Sequence, residues 1–300
     1  MNDTAEASRP NLFLIGAMKS GTTTLHMLLA EHPDIFMCEP KEPCYFLDPD
    51  LLRRYWPEMW KRRYWESEAS YLHLFDTADH ESVIGESSTD YSKLPRFQGV
   101  AEKIHAFNPQ AKFIYIMRDP VERTLSHYWH MATHRAERRG MVEALSDDRH
   151  YTDVSYYSMQ LQPYIAAFGR DQILALTFEE LKVDPLQTVQ KVFSWLGVTV
   201  DFVPPNLGAR ENVTAQRIDQ VDGLGLLHKL RHSRLWEFIG PLVPQDIRSL
   251  GVRLSVREVD RSKVGEAEAI DYLRPIQQAQ TEELKVLLDL DFPQWKTLYG

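Results

Sequence analysis

Cysteine is scarce in this 300-residue sequence, which contains only Cys38 and Cys44. These thiols lie six residues apart, no second pair accompanies them, and no histidine stands at a metal-ligand spacing. The pattern therefore supports neither a disulfide framework nor a zinc site. We expect two ordinary reduced cysteines and no bound metal.

Long apolar runs are also lacking. Residues 1–10 are polar and contain no signal-like apolar core. No later run approaches the roughly 18 apolar residues that a membrane-spanning helix needs. These features predict a cytoplasmic protein without a membrane span, with a disordered tail over residues 1–10.

An excess of positive charge is absent as well, because 43 acidic residues outnumber 34 basic ones and give a net charge of −9. This balance argues against nucleic acid as a partner, since binding to its phosphates needs a basic field. Only local basic clusters remain as sites for anionic ligands. No repeat period is visible, and 43% hydrophobic residues are ample for the core of one domain, which we place at residues 11–300.

The main motif of the sequence is a predicted strand-loop-helix unit near the N-terminus. Residues 12–15 are an unbroken apolar run, Gly16 marks a tight turn, and an apolar stripe at helical spacing follows and stops before Pro33. Backbone N–H groups at such a loop and helix start are unpaired. Together with the helix dipole they form an anion site suited to a phosphate.

The loop differs in one respect from the nucleotide-binding pattern G-x-x-x-x-G-K-[ST]. Gly16 and Gly21 have the right spacing and Thr23 stands where a magnesium-binding hydroxyl would be, but the lysine position is Thr22. A lysine occurs three residues earlier instead, as Lys19. From there its ammonium can contact the oxygen that joins a 5'-phosphate to a transferred group. A degenerate NTPase loop and a plain strand-to-helix turn are the alternatives.

The stretch Gly-x-x-Lys-Ser-Gly-Thr-Thr resembles the 5'-phosphosulfate loop of sulfotransferases that use 3'-phosphoadenosine 5'-phosphosulfate (PAPS). The resemblance implies that the lysine neutralises charge on the bridging oxygen, so that no metal is required. It also implies that the loop and the first helical turn bind the donor through Lys19, Ser20, Gly21, Thr22, Thr23 and Thr24.

A second motif follows the apolar run at residues 113–117. Asp119 is placed to cap a helix that begins at Pro120, which leaves Arg118 at the strand end and Ser126 about two turns along the helix. A guanidinium and a hydroxyl at that separation can hold one phosphate from two sides. The pattern Arg-Asp-Pro-x-x-Arg-x-x-Ser-x-Tyr also resembles the 3'-phosphate segment of the sulfotransferase family. The resemblance implies that Arg118 and Ser126 bind the 3'-phosphate.

A candidate general base lies in a stretch that is similar to a segment of the heparan-type branch of the family. The resemblance implies that Glu42 takes the proton from the acceptor hydroxyl, with Glu39 or a histidine as alternatives. His105 lies in a helical stretch, where we expect a structural role. The heparan-type enzymes carry a lysine directly after the glutamate that corresponds to Glu86, whereas Ser87 follows it here. This departure weakens the case for an acidic polysaccharide acceptor.

Strand and helix patterns alternate along the chain. The apolar strand segments lie at residues 12–15, 33–37, 83–86, 113–117 and 173–178, and later helices at residues 157–168 and 184–197. This alternation predicts an α/β fold, a P-loop-like three-layer α/β/α arrangement with a central parallel sheet. Nucleotides bind at the carboxyl ends of such strands, where both motifs lie.

Two regions keep open alternatives. The aromatic-rich residues 45–75 either pack helices against the sheet or line an acceptor pocket. Residues 214–272 resemble the family least and are expected to be a variable lid or insertion, next to a nucleotide-closing loop at residues 210–214. The basic segment at residues 228–236 is either a solvated helix face, a lid over the acceptor or a membrane-surface contact.

These motifs lead to one functional hypothesis and two alternatives. The hypothesis is in-line transfer of a sulfuryl group from PAPS to a hydroxyl of a carbohydrate or other small metabolite, with adenosine 3',5'-bisphosphate as the product and Glu42 as the base. The alternatives are a P-loop kinase or NTPase, which would need Mg²⁺ and ATP, and a catalytically silent nucleotide-binding protein. The identity of the acceptor and the oligomeric state are left open.

Overall fold

A central sheet of five parallel strands dominates the computed structural model, which describes residues 9–134, 137–208, 217–221, 256–260 and 265–300. The strands lie in the order β2-β3-β1-β4-β5, and every neighbouring pair is parallel. Their bounds are β1 Leu12–Gly16, β2 Ile35–Met37, β3 Val83–Ser87, β4 Lys112–Met117 and β5 Ile173–Thr177. The predicted parallel sheet is confirmed.

Helices connect the strands and cover the sheet. Those that the structure describes are α1 Thr22–Ala30, α2 Pro49–Tyr55, α3 Pro57–Trp60, α4 Glu68–Leu72, α5 Val100–Phe107, α6 Pro120–His134, α7 Met141–Asp147, α8 His150–Asp153, α9 Tyr157–Phe168, α10 Phe178–Val183, α11 Pro185–Leu196, α12 Glu266–Leu288 and α13 Lys296–Tyr299. None of these helices is long and apolar enough to cross a bilayer.

The two faces of the sheet bury separate apolar clusters, because successive residues of a strand point to opposite faces. On β1, Phe13 and Ile15 pack into a cluster with residues of α5, α6, α9 and α12. Leu12 and Leu14 pack into a second cluster with residues of α1 and α11. Helices therefore cover both faces, and the predicted three-layer α/β/α arrangement is confirmed.

Capping residues set the helix bounds that frame the site. The Asp119 carboxylate accepts hydrogen bonds from the N–H groups of Val121 and Glu122, at 3.0 and 3.2 Å, and so begins α6. The strand predicted over residues 173–178 ends one residue early, at Thr177. The reason is a capping box, in which Thr177 and Glu180 exchange hydrogen bonds and start α10 at Phe178.

The region expected to be a lid or insertion is described only in parts. Strands β6 (Arg217–Val221) and β7 (Val256–Asp260) pair antiparallel as a separate two-stranded sheet. Residues 266–272 begin α12, in which Ala269 is buried in the core. The segments at residues 210–214 and 228–236 lie outside the described residues, as do residues 1–8. Arg9, which was expected in the tail, forms an ion pair with Glu68 on α4.

Candidate active site

The loop between β1 and α1 curves around the carboxyl ends of β1 and β4. The N–H of Ala17 donates to the carbonyl of Ile116 at 2.7 Å, which ties the loop to β4. Lys19 and Gly21 both adopt left-handed backbone conformations, with φ of 68° and 86°. A Cβ at Gly21 would lie 2.7 Å from the ring of Phe178, so the backbone angle and the close approach both require glycine.

This loop has the features of an anion site. Ser20 is fully buried, and its Oγ has no hydrogen-bond partner among the residues that the structure describes. Such an orphaned hydroxyl is costly unless a ligand satisfies it. The first turn of α1 carries no acidic residue and begins with Thr22 and two further threonines. The loop therefore fits the 5'-phosphate end of a nucleotide.

Positive charge is concentrated beside the loop. The pKa of Lys19 is lowered, chiefly by burial and then by the charges of Arg118 and Arg123. Arg123 is itself fully buried, and burial is the main reason why its pKa falls to about 10. Its guanidinium is held by the Ser155 hydroxyl and the Tyr151 carbonyl. Three cations at one edge of the sheet create a field that favours an anionic ligand.

Arg118 follows β4, and its side chain contacts Glu122 and Phe178. Its Nη2 donates to Glu122 Oε2 at 2.6 Å, and its guanidinium lies 5.2 Å from the ring centroid of Phe178. Burial acts to raise the pKa of Glu122, but the hydrogen bond and charge of Arg118 outweigh it and hold that pKa below 4.5. Ser126 is buried on the same helix. No hydrogen bond within the described part of the chain links it to Arg118, so their joint role stays a prediction.

Residues near the C-terminal end brace the Arg118 segment. The Asp119 carboxylate accepts a hydrogen bond from the N–H of Leu298 at 2.9 Å. Glu179 accepts from the N–H of Asp119 at 3.0 Å and from Trp295 Nε1 at 3.2 Å. Thr297 donates to Glu122 at 2.9 Å. The predicted 3'-phosphate segment is therefore fixed by contacts from two distant parts of the chain, residue 179 and residues 295–298.

Glu42 lies after β2 in a left-handed conformation, with φ of 60°. Its N–H donates to the carbonyl of Ser87 at 2.9 Å, and its Oε2 accepts from the N–H of Thr89 at 2.8 Å. Its Oε1 lies 3.4 Å from Lys41 Nζ, and that ammonium also lies 3.2 Å from the Thr22 hydroxyl on α1. The structure thus brings Glu42 beside the first turn of α1, which follows the loop after β1. The Glu42 side chain is 18% exposed.

The buried carboxylate of Glu86 is part of a hydrogen-bond network that holds the segment of Glu42. Glu86 is fully buried and accepts hydrogen bonds from Tyr71 at 2.6 Å, Tyr91 at 2.9 Å and Ser88 at 2.8 Å. Burial raises the pKa of Glu86 to about 7 against the opposite effect of these hydrogen bonds. The Ser88 hydroxyl also accepts from the N–H of Cys44 at 3.2 Å, which holds the segment that carries Glu42.

Comparison with known proteins identifies the family. A family model described as "Sulfotransferase family" matches residues 10–202. The chain belongs to the sulfotransferase family. Carbohydrate sulfotransferase 15 of Mus musculus is 24% identical to this sulfotransferase over 77% of this chain and 52% of the relative. Bifunctional heparan sulfate N-deacetylase/N-sulfotransferase 4 of Mus musculus is 25% identical over 64% of this chain and 23% of the relative. The chain therefore spans about half, or less, of the length of these curated relatives.

A solved structure matches the whole fold. The crystal structure of a sulfotransferase from Alicyclobacillus acidocaldarius superposes with a TM-score of 0.70 at 25% sequence identity. The match covers 96% of this chain and 99% of the other. The similarity therefore extends over the sheet and the helices that carry the site of this sulfotransferase.

The structure also shows the contacts of Ser87, of the two cysteines and of His105 in this sulfotransferase. Ser87, where the heparan-type lysine is missing, is buried, and its hydroxyl lies 2.8 Å from His26 Nδ1 on α1. Cys38 and Cys44 are both free and buried. His105 contacts the ring of Phe168, in line with a structural role.

The aromatic region serves mainly as packing. Tyr71 and Phe75 are fully buried, and Tyr45 stacks on Tyr71 with ring centroids 4.3 Å apart. Trp60 and Trp65 are only half-buried and stack on each other at 5.4 Å. The packing interpretation therefore holds for the first group, and the two tryptophans stay candidates for acceptor contact.

Proposed function

We propose that this sulfotransferase moves a sulfuryl group from PAPS to a hydroxyl of its acceptor, with Glu42 as general base. One observation carries the proposal. The base candidate and the donor loop lie at the same edge of the sheet and are joined by Lys41, whose ammonium lies within 3.4 Å of both Glu42 and Thr22. A base beside a phosphosulfate loop is the arrangement that in-line transfer to a hydroxyl needs.

The donor side divides into two phosphate subsites. The loop N–H groups, the Ser20 hydroxyl and the threonines of α1 would hold the 5'-phosphate. Arg118 and Ser126 would hold the 3'-phosphate, which PAPS has and ATP lacks. When bound, PAPS supplies the sulfuryl group on its 5'-phosphate. From the loop, the Lys19 ammonium would stabilise the negative charge that develops on the bridging oxygen.

The base acts on the other reactant. Glu42 would accept the proton of the acceptor hydroxyl, whose oxygen would replace the bridging oxygen on the sulfuryl group, with adenosine 3',5'-bisphosphate as the leaving group. The N–H of Thr89 fixes Oε2 at 2.8 Å, whereas Oε1 has the longer contacts, 3.3 Å to the Thr89 hydroxyl and 3.4 Å to Lys41 Nζ, and would take the proton. The supporting cluster around Glu86 holds the backbone of this segment. Chiefly, the enzyme positions reactants and stabilises charge, as in phosphoryl transfer.

A carbohydrate is the acceptor class that we favour. The relatives named above are described as acting on carbohydrate or on heparan sulfate. The half-buried rings of Trp60 and Trp65 are aromatic groups of the kind on which sugar rings stack. Another small hydroxyl-bearing metabolite is the alternative acceptor. A cytoplasmic location also stays a prediction.

Calorimetric titration tests the donor assignment first. The protein is titrated with adenosine 3',5'-bisphosphate, and with ADP and ATP, each with and without Mg²⁺. Tight, metal-independent binding of the bisphosphate together with weak ATP binding is the expected result, and it would lead to an acceptor screen with labelled sulfate. Magnesium-dependent ATP binding without preference for a 3'-phosphate would contradict the proposal and favour a kinase or NTPase.

A further inference from the structure

Lys41 stands between the two halves of the site, and the reaction described above gives it no task of its own. Its Nζ lies 3.2 Å from the Thr22 hydroxyl, 3.3 Å from the Thr23 hydroxyl and 3.4 Å from Glu42 Oε1. The side chain is 20% exposed, so its position is set by these partners rather than by solvent. A lysine from the segment after β2 therefore reaches the N-terminal turn of α1.

The direction of the hydrogen bonds gives Lys41 a function. An ammonium has three donors and no acceptor. In its contacts with Thr22 and Thr23 it must donate, and each hydroxyl oxygen accepts. The proton of each hydroxyl is then directed away from Lys41. Both threonines lie in the first turn of α1, where the N–H groups and the helix dipole also favour an anion. Because their oxygens accept from Lys41, the two threonine hydroxyls can donate their protons to that anion.

Contacts from other segments keep Lys41 in place. Arg62, just after α3, donates through Nη1 to the carbonyl of Lys41 at 2.7 Å and to the carbonyl of Glu42 at 3.2 Å. The neighbouring His26 does not compete as a cation, since burial and then the charge of Lys41 lower its pKa to about 4. Among the described residues, Lys41 is the cation that contacts the hydroxyls of Thr22 and Thr23.

We propose that Lys41 is a positioning residue of the donor site, which directs the hydroxyl protons of Thr22 and Thr23 towards the 5'-phosphate of the donor nucleotide. This inference rests on the proposed function, because it takes the anion at the loop to be the 5'-phosphate. It predicts that Lys41 affects recognition of the 5' side of the nucleotide and leaves recognition of the 3' side unchanged.

Nucleotides that carry only one of the two phosphates distinguish recognition of the 5' side from recognition of the 3' side. Calorimetry measures the affinity of Lys41→Met for adenosine 5'-monophosphate, adenosine 3'-monophosphate and the 3',5'-bisphosphate. We expect about 10-fold weaker binding of the two ligands that carry a 5'-phosphate, the range of one charge-assisted contact, and binding of the 3'-monophosphate within about 2-fold of wild type. Lys191→Met, on the exposed face of α11, removes the same charge and is expected to bind all three ligands like wild type.

A double-mutant cycle tests whether Lys41 acts through the hydroxyls. Thr23→Val keeps the shape of the side chain and removes one hydroxyl. If the two residues work together, Lys41→Met will weaken 5'-monophosphate binding less in the Thr23→Val background than in wild type. Lys41→Arg, which keeps a cation, is expected to restore part of the affinity. A damaged loop would not be rescued in this way.

The outcomes distinguish this proposal from the proposed function. If wild-type protein does not bind the 3',5'-bisphosphate, both are overturned. If wild type binds it with a clear 3'-phosphate preference and Lys41→Met binds equally well, only the role of Lys41 is overturned. Equal losses for the 5'- and 3'-monophosphates in Lys41→Met would also contradict it, because they would show a general loss of structure.

Discussion

Replacing Arg118 by alanine should remove most of the preference for a 3'-phosphate. Charge-assisted hydrogen bonds contribute about 1.5–3 kcal/mol each. In the free protein Arg118 already donates to Glu122, in a pair whose side chains are 22% and 41% exposed and which is therefore worth about 1 kcal/mol at most. The remaining gain from the phosphate is about 0.5–2 kcal/mol, which corresponds to roughly 2- to 30-fold in affinity.

Calorimetry with adenosine 3',5'-bisphosphate and adenosine 5'-monophosphate measures this preference as a ratio of two affinities. We expect Arg118→Ala to lower the ratio by that factor, chiefly through weaker bisphosphate binding. Arg149→Ala, which removes an exposed guanidinium at the start of α8, is the charge-matched control and should leave the ratio unchanged. An unchanged ratio in Arg118→Ala would refute the assignment of the 3'-phosphate to this arginine.

The companion variant Glu122→Gln should act in the opposite direction. It removes the carboxylate that holds Arg118 Nη2 at 2.6 Å and whose negative charge opposes a nearby phosphate. The expected result is a ratio a few-fold higher than in wild type. A lower ratio would mean that Glu122 orients Arg118 for the ligand instead of competing with it.

Three further predictions concern other parts of the site. Glu42→Gln should bind the bisphosphate within about 3-fold of wild type and lose at least about 100-fold in sulfuryl transfer; retained activity would move the base to Glu39 or a histidine. Gly21→Ala should lower the free energy of unfolding by about 1–3 kcal/mol and abolish bisphosphate binding, because it combines a left-handed φ with a clash against Phe178. Its control, Gly197→Ala, has a similar φ of 81° and open space around it, and a loss as large there would contradict the packing argument. The raised pKa of Glu86 means that the folded state retains a proton which the unfolded state releases above about 4.5, so stability should fall as pH rises from about 4.5 to about 7. Denaturant titrations should show a fall of up to about 3 kcal/mol over this range, absent in Glu86→Gln; parallel curves for the two proteins would exclude the effect.

Local signals explain why the strand ends and helix starts at both predicted phosphate-binding motifs could be located from the sequence. The apolar run before Gly16 and the cap at Asp119 are short-range features, and each fixes a strand end and a helix start without help from the rest of the fold. The strand boundary at Thr177 was less accurate, because a threonine that continues an apolar run is also a good helix cap. The capping partner three residues later, Glu180, was the available signal.

Contacts between distant segments could not be predicted in this way. Lys41 reaches Thr22 only because β2 and β1 lie on either side of β3, an order that no spacing in the sequence reveals. The bond from Leu298 to Asp119 joins residues 179 positions apart. The pair of Arg118 and Glu122 has helical i,i+4 spacing and was open to prediction, since oppositely charged residues four apart on a helix commonly interact.

The position of β1 has a consequence for the synthesis of this protein. Among the described strands β1 comes first along the chain, all five of its residues are buried in the finished sheet, and it pairs on one side with β3 and on the other with β4. The edge that pairs with β3 stays open until synthesis has passed residue 87, and the edge that pairs with β4 stays open until it has passed residue 117. From the end of β1 the second interval is about 100 residues, or roughly 5–20 s at ordinary translation rates. During it the nascent chain exposes an apolar strand with at least one open edge, the kind of segment that aggregates. We therefore expect the soluble yield of this chain to depend more on the supply of chaperones than on the stability of the folded protein.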